Sequence, residues 1–258
     1  MGVLEGRSAI VTGSARGIGR ATAELLAEHG ARVLVNDLDE EVARAAAGEI
    51  AGETAVFTGD LTQEGVPERL VAAAVEAFGG VDIIVNNAGY ALDAPIHKMS
   101  DDSWERMIDI HATVPFKVLR AAAPHLREPA KRERDEGREV FRKIVNVSSA
   151  SGTMGSAAQA NYAAGKAAVV GLTKTLAKEW GPLKVNCNAV AFGMVGTRMI
   201  EAMPDSYRER VEAMVPIGRA ATPREAAGAI FFLCSPWSDY VQGQVLHVTG
   251  GMLAGMSA

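Results

Sequence analysis

Between Arg7 and Asp37 the chain reads RSAIVTGSARGIGRATAELLAEHGARVLVND: an apolar strand, a turn holding three glycines, a helix and a second apolar strand. Few folds accept such a unit. Gly13, Gly17 and Gly19 let the turn close tightly and let backbone N–H groups approach an anion at the positive end of the following helix. The spacing is GxxxGxG rather than GxGxxG, and a three-glycine turn by itself serves a structural end as readily as a pyrophosphate. The surroundings favour the pyrophosphate of a dinucleotide. A hydrophobic strand precedes the turn, a helix follows it, and acidic Asp37 ends the next strand, eighteen residues beyond Gly19.

The same alternation continues along the chain. Strand-like runs occur at SAIVTG, ARVLVN, TAVFTG, VDIIVNN, RKIVNVS, KVNCNAV and QVLHVTG, with helical stretches between them. This is the pattern of an α/β fold with a doubly wound, seven-stranded parallel sheet and helices on both faces, three layers in all. Right-handed crossovers would bring the carboxyl ends of the strands to one edge. A length of 258 residues suits one such domain, expected over residues 1–258, and no internal repeat or Pro-rich linker divides it.

A second feature bears on chemistry. The Ala, Leu and Lys content of ANYAAGKAAVVGLTKTLAKEW predicts one helix, in which Tyr162 and Lys166 stand at i and i+4 on the same face. A nearby ammonium favours phenolate, so Lys166 is expected to lower the Tyr162 pKa from about 10 toward the range of a general acid–base group. Most such pairs are ordinary surface residues. Ser149, thirteen residues before Tyr162, and the glycine turn give this one its weight.

TGSARGIG, the NNAG of Asn86 to Gly89, Ser149 and YAAGK stand in the order and separation found in the one-domain short-chain dehydrogenase/reductases, and the chain resembles that family from SAIVTG to GQVLHVTGG. The segment GTMGSAAQANYAAGKAAVVGLTK is most similar to the active-site region of the 3-oxoacyl-[acyl-carrier-protein] reductases. The resemblance implies a Rossmann-type oxidoreductase that moves a hydride between NAD or NADP and a secondary alcohol or ketone. Its substrate would be a carrier-bound 3-oxoacyl thioester or, alternatively, a steroid, sugar, polyol or other small hydroxy compound. A non-catalytic NAD-binding sensor or scaffold is the reading from another class, and intact Ser149, Tyr162 and Lys166 count against it.

The resemblance also implies roles for single residues. Tyr162 exchanges a proton with the reacting oxygen, Ser149 hydrogen-bonds that oxygen, and Lys166 also contacts the nicotinamide ribose. Gly13, Ser14, Arg16, Gly17, Ile18 and Gly19 form the cofactor turn, and Asp37 with Leu38 meets the adenosine ribose. Asp60 and Leu61 border the adenine, while Asn87, Ala88 and Gly89 pass along the cofactor. Gly193, Val195 and Thr197 hold the carboxamide end, and Asn86 could equally stitch strands together. The Asp37 carboxylate would repel a 2′-phosphate and favours NAD, whereas Arg16 could pair with that phosphate and keeps NADP open.

Two positions depart from the family pattern. Phe192 stands where proline is usual, and His111 stands where an asparagine usually serves a proton relay. The imidazole either carries that relay in altered form or is a packed core residue. His29, His97, His125 and His247 lack metal-like spacing, so no metal is expected, and Cys187 and Cys234 read as buried thiols.

A net charge of −5 without a basic stripe argues against a nucleic-acid surface. No run is apolar enough to span a bilayer and no secretory segment is evident, so a cytoplasmic location is expected. The resemblance and the apolar segment QVLHVTGGMLAGM point to a homotetramer. MVGTRMIEAMPDSYRERVEAMVP, residues 194–216, reads as a mobile substrate lid or as a helical flap packed on the sheet. The mixed-charge residues 127–143 read as a solvated helix extension in preference to a partner-docking surface.

Overall fold

In the computed structural model, which describes residues 2–201 and 205–253, all seven expected strands form. They are β1 (Ser8–Val11), β2 (Arg32–Asp37), β3 (Thr54–Thr58), β4 (Ile83–Asn86), β5 (Arg142–Ser149), β6 (Val185–Phe192) and β7 (Val245–Val248). They make one parallel sheet in the order β3-β2-β1-β4-β5-β6-β7. The winding reverses between β1 and β4, and in such sheets that switch point opens a crevice beyond the carboxyl ends of the strands.

Both faces of the sheet are covered, which is why its strands read as continuous apolar runs. Ala9, Val11, Val33, Val35, Val145 and Val190 pack with residues of α1 (Gly17–Glu28), α2 (Glu40–Glu49) and α10 (Pro223–Cys234). The alternate residues Ile10, Leu34, Ile84 and Ile144 join the opposite core. That core is built with α3 (Val66–Phe78), α4 (Asp101–Ile108), α5 (Val114–Asp135) and α7 (Ala160–Trp180). Phe192, at the end of β6, is buried in the first core, where proline could not have supplied the same bulk.

Two tight approaches shape the carboxyl edge of the sheet. Gly13 and Gly17 have φ of 63° and 55°, the left-handed conformation that favours glycine. A side chain on Gly19 would strike the Gly13 carbonyl oxygen and come within 2.5 Å of Asn87 Nδ2, so the first turn of α1 lies directly on the glycine turn. At the other approach, α6 (Ala150–Met154) touches α7: a Cβ on Gly152 would stand 2.7 Å from the backbone carbonyl carbon of Lys166.

The charged stretch 127–143 departs from expectation. Its first part does continue α5, to Asp135. Arg142 and Lys143, however, are buried at the start of β5. Arg142 donates both terminal nitrogens to Glu133, at 2.6 and 3.0 Å, and Lys143 Nζ donates to Asp239 at 2.6 Å. Pairing of this kind is what lets two cations enter a sheet.

The expected lid contains two short helices, α8 (Arg198–Glu201) and α9 (Asp205–Glu212). Residues 202–204 of that segment, and residues 254–258 of the apolar tail, lie outside the described residues.

Candidate active site

Buried polar side chains sew the strand ends together at the crevice. Thr12 Oγ1 accepts from the backbone N–H groups of Asn87 and Ala88, each at 3.0 Å, while Asn87 Nδ2 donates to the carbonyls of Thr12 and Gly13. Asn86 does stitch strands: its Nδ2 donates to Asn146 Oδ1 at 2.8 Å, and Asn146 Nδ2 donates to Thr173 at 2.9 Å. Ser14, expected at the cofactor, faces inward instead. Its fully buried hydroxyl donates to the Val11 carbonyl at 2.6 Å and accepts from Asn36 N. Thr12, Asn36 and Asn146 were not singled out in the sequence, although a polar residue interrupting an apolar strand marks each of the asparagines.

On the first half of the edge, Gly13 N donates to Asn36 Oδ1 at 3.3 Å, whereas the N-terminus of α1 carries no side-chain cap, which leaves the N–H groups of its first turn unclaimed by a capping side chain. A methyl group on Gly17 would come within 3.5 Å of Thr197 Cγ2, which puts the segment after β6 over the turn. Asp37 Oδ1 accepts from the N–H groups of Leu38 and Asp39, and Leu38 is exposed. Arg16 Nη2 reaches Asp39 Oδ2 at 3.0 Å, so its charge is already met. Burial raises the Asp60 pKa, but hydrogen bonds from Thr62 and Gln63 outweigh it and hold the carboxyl below its usual range. Leu61 is buried, while Gly193 and Val195 continue from β6 with Val195 bridging to Ala221.

On the second half, Ser149 ends β5 and caps α6, its Oγ accepting from Ser151 N at 3.2 Å. Tyr162 lies in the first turn of α7, anchored by a residue that sequence reading missed. Asn161 accepts from Tyr162 N at 2.8 Å and donates to the carbonyls of Leu92 and Ser103. Beside them, Ser151 donates to Gln159, and Gln159 donates to Asp93 at 3.0 Å. Lys166 Nζ lies 5.7 Å from the Tyr162 ring centre and donates to the Val147 carbonyl at 2.7 Å.

The electrostatics correct one expectation. The Tyr162 pKa is raised, chiefly by burial and further by the Asp93 charge, against a lowering hydrogen bond with Ser149. Lys166 does not bring it down, because burial lowers the lysine's own pKa to about 7 and its ammonium is turned to a carbonyl. The phenol is therefore held protonated.

His111 is buried, as the packed-core alternative expects. Between α4 and α5 the helix widens into a π-turn over Asp109–Thr113. A Cβ on Gly89 would collide with the ring, and one on Gly165 would stand 2.7 Å from the His111 Cβ, so both glycines make room for this side chain. It meets the Tyr162 ring edge-on, with centroids 4.9 Å apart. Its Nε2 lies 2.7 Å from the Tyr90 carbonyl; an oxygen can only accept, so Nε2 carries the proton and Nδ1 keeps its lone pair. Among the described residues Nδ1 has no partner. Burial, then the Lys166 charge, pushes the His111 pKa down to about 3 against the Tyr90 hydrogen bond. Cys187 and Cys234 are buried as expected, and burial pushes both thiols up to about 12.

A crevice at the switch point, an uncapped glycine turn and a protonated tyrosine beside a serine define a nucleotide-dependent oxidoreductase acting at CH–OH and C=O groups. The family model described as Enoyl-(Acyl carrier protein) reductase matches residues 13–253. The 3-oxoacyl-[acyl-carrier-protein] reductase FabG of Vibrio cholerae serotype O1 is 42% identical over 249 residues, 96% of this chain and 98% of its own length. FabG of Escherichia coli K12 is 37% identical over 249 residues, with the same coverage. Uncharacterized oxidoreductase Mb1385 of Mycobacterium bovis is 39% identical over 251 residues, again 96% of this chain and 98% of its own length. The chain belongs to the short-chain dehydrogenase/reductase family, whose chemistry requires a nicotinamide cofactor.

The buried imidazole has a consequence for stability. Its folded pKa of about 3 lies below the ordinary 6.5, so its contribution is fully present above pH 6.5 and is lost as pH falls toward 3, where only the unfolded chain takes up the proton. The parent should lose more urea-unfolding free energy than His111→Gln between those two limits. Identical losses in both would show that the folded ring protonates freely.

Proposed function

We propose that this chain reduces the carbonyl of a carrier-bound 3-oxoacyl thioester within a single nicotinamide-binding domain, with Tyr162 as the proton donor. The observation that carries this reading is the Tyr162 phenol, kept protonated by burial next to Ser149. A group that holds its proton at neutral pH suits donation to a ketone oxygen, and hence the reductive direction. The relatives named 3-oxoacyl-[acyl-carrier-protein] reductases support the substrate class.

The chain's residues fit the cofactor. The uncapped turn of Arg16, Gly17, Ile18 and Gly19 offers backbone N–H groups to a pyrophosphate, Gly13 gives the turn its left-handed bend, and Ser14 supports it from within. Asp37 and Leu38 receive the adenosine ribose, Asp60 and Leu61 the adenine, and Asn87, Ala88 and Gly89 line the path between the two halves. Gly193, Val195 and Thr197 close over the far end. When bound, the nicotinamide supplies the hydride. Asp37 and Asp39 set two carboxylates against the single guanidinium of Arg16, which favours NAD over its 2′-phosphorylated form.

Tyr162 passes its phenolic proton to the substrate oxygen as that oxygen gains charge, while the Ser149 hydroxyl donates a hydrogen bond to the same atom. Lys166, with a pKa of about 7, gains and loses a proton in neutral solution and contacts the cofactor ribose. His111, through the free lone pair of Nδ1, accepts a hydrogen bond in the route that returns a proton to Tyr162. Exposed Trp104, Phe116, Trp237 and Tyr240 support burial against further copies in a cytoplasmic homotetramer.

Nicotinamide absorbance with a 3-oxoacyl thioester tests the assignment. Tyr162→Phe should lose at least ~100-fold in turnover with cofactor affinity nearly unchanged. Near-normal turnover would remove Tyr162 from its role, and turnover of sugars or polyols without 3-oxoacyl thioesters would move the substrate class. For the cofactor, the parent should prefer NADH, and Asp37→Ala should relax that preference. A parent that prefers NADPH contradicts the reading of Asp37.

A further inference from the structure

We propose that the amino-terminal edge of the sheet, opposite the catalytic crevice, carries a binding site for one small phosphate-type oxyanion. A cleft of about 300 Å³ is walled there by Arg32, Arg132, Arg142 and His125, with Gly79 and Gly80 beside them. Arg32 begins β2 and Arg142 begins β5, so the cleft is separated from Ser149 by the length of a strand.

Charge balance on the walls is positive. Three guanidiniums face one carboxylate, Asp82, and that carboxylate is already engaged by Arg7 at 3.2 Å and by the Ser8 backbone N–H at 3.0 Å. Glu133, behind the wall, takes both terminal nitrogens of Arg142. Arg132 is exposed and forms no ion pair among the described residues. The carboxyl end of α3 at Gly79 brings about half a negative charge, which the guanidiniums of Arg32 and Arg132 outweigh once Arg142 is set against Glu133.

The guanidiniums behind the cleft are held in place. Arg142 is 5% exposed, yet its Nε has no hydrogen-bond partner; the Asp82 oxygen facing it is 3.8 Å away, too far for a hydrogen bond. Arg32 Nε is also buried without a partner. The Arg32 guanidinium is set in place by stacking on Phe78, 5.4 Å from the ring centre. Neither Nε is open to the cleft, so an oxyanion there would bond Arg132 and the terminal nitrogens of Arg32 and balance the excess charge, in the geometry that arginine recognises best. The stretch 127–143 thereby gains a use, since it contributes Arg132, Glu133 and Arg142.

The experiment is equilibrium dialysis of the full chain against radiolabelled inorganic phosphate, at fixed ionic strength and with NAD saturating the glycine turn. Saturable binding of one phosphate per chain is expected. Arg132→Glu and Arg32→Gln should each weaken it by at least ~10-fold while catalytic turnover and melting temperature of Arg132→Glu stay at parent values. Binding that does not saturate, or that is equal in the parent and both variants, marks an adventitious ion only and overturns the proposal.

Discussion

The proposed catalytic centre rests on the docking of α7 against β5. Ser148 Oγ donates to the Lys166 carbonyl at 2.7 Å, Lys166 Nζ donates back to the Val147 carbonyl at 2.7 Å, and Gly152 lets α6 lie against the same helical turn. This clamp fixes the distance from Ser149, at the end of the strand, to Tyr162, one helical turn before the lysine. It also removes Lys166 from water and leaves Tyr162 half-buried. Burial then moves three groups toward their neutral forms: the lysine down to about 7, the histidine down to about 3, and the tyrosine upward. A site of neutral donors and acceptors is suited to handing a proton to a ketone oxygen without holding a permanent charge against it.

The half of the edge proposed to hold the cofactor is built on a different plan. Its strand ends are joined by Thr12, Asn36 and Asn87, each satisfied by backbone groups of neighbouring strands, so the glycine turn is held from behind and keeps its outward N–H groups free. The Asn86–Asn146–Thr173 chain carries this stitching across to β5 and α7. The two halves therefore share one polar seam beneath the crevice, and the position of the turn is tied to that of the tyrosine.

Much of this was legible in the sequence because its causes are local. Strands covered on both faces must be largely apolar, which makes all seven recognisable, and the Tyr162–Lys166 helix runs from Ala160 to Trp180 as its composition predicts. What stayed hidden depends on distant partners. Burial of Lys143 requires Asp239, ninety-six residues away, and no local pattern announces it. The π-turn at Asp109–Thr113 follows from the room that Gly89 and Gly165 leave for the His111 ring. The Tyr162 pKa ran opposite to the helix-spacing argument because spacing reports the neighbour's formal charge but not the desolvation that weakens it.

Titration of Lys166 tests this account most directly. In protein carrying 13C-lysine, with the resonance assigned by its loss in Lys166→Met, the Lys166 Cε signal should titrate with a midpoint near 7, the value that burial on β5 imposes. A midpoint near 10.5, the ordinary value for a lysine in water, would mean that the ammonium is solvated and that the clamp does not set the charge of the site.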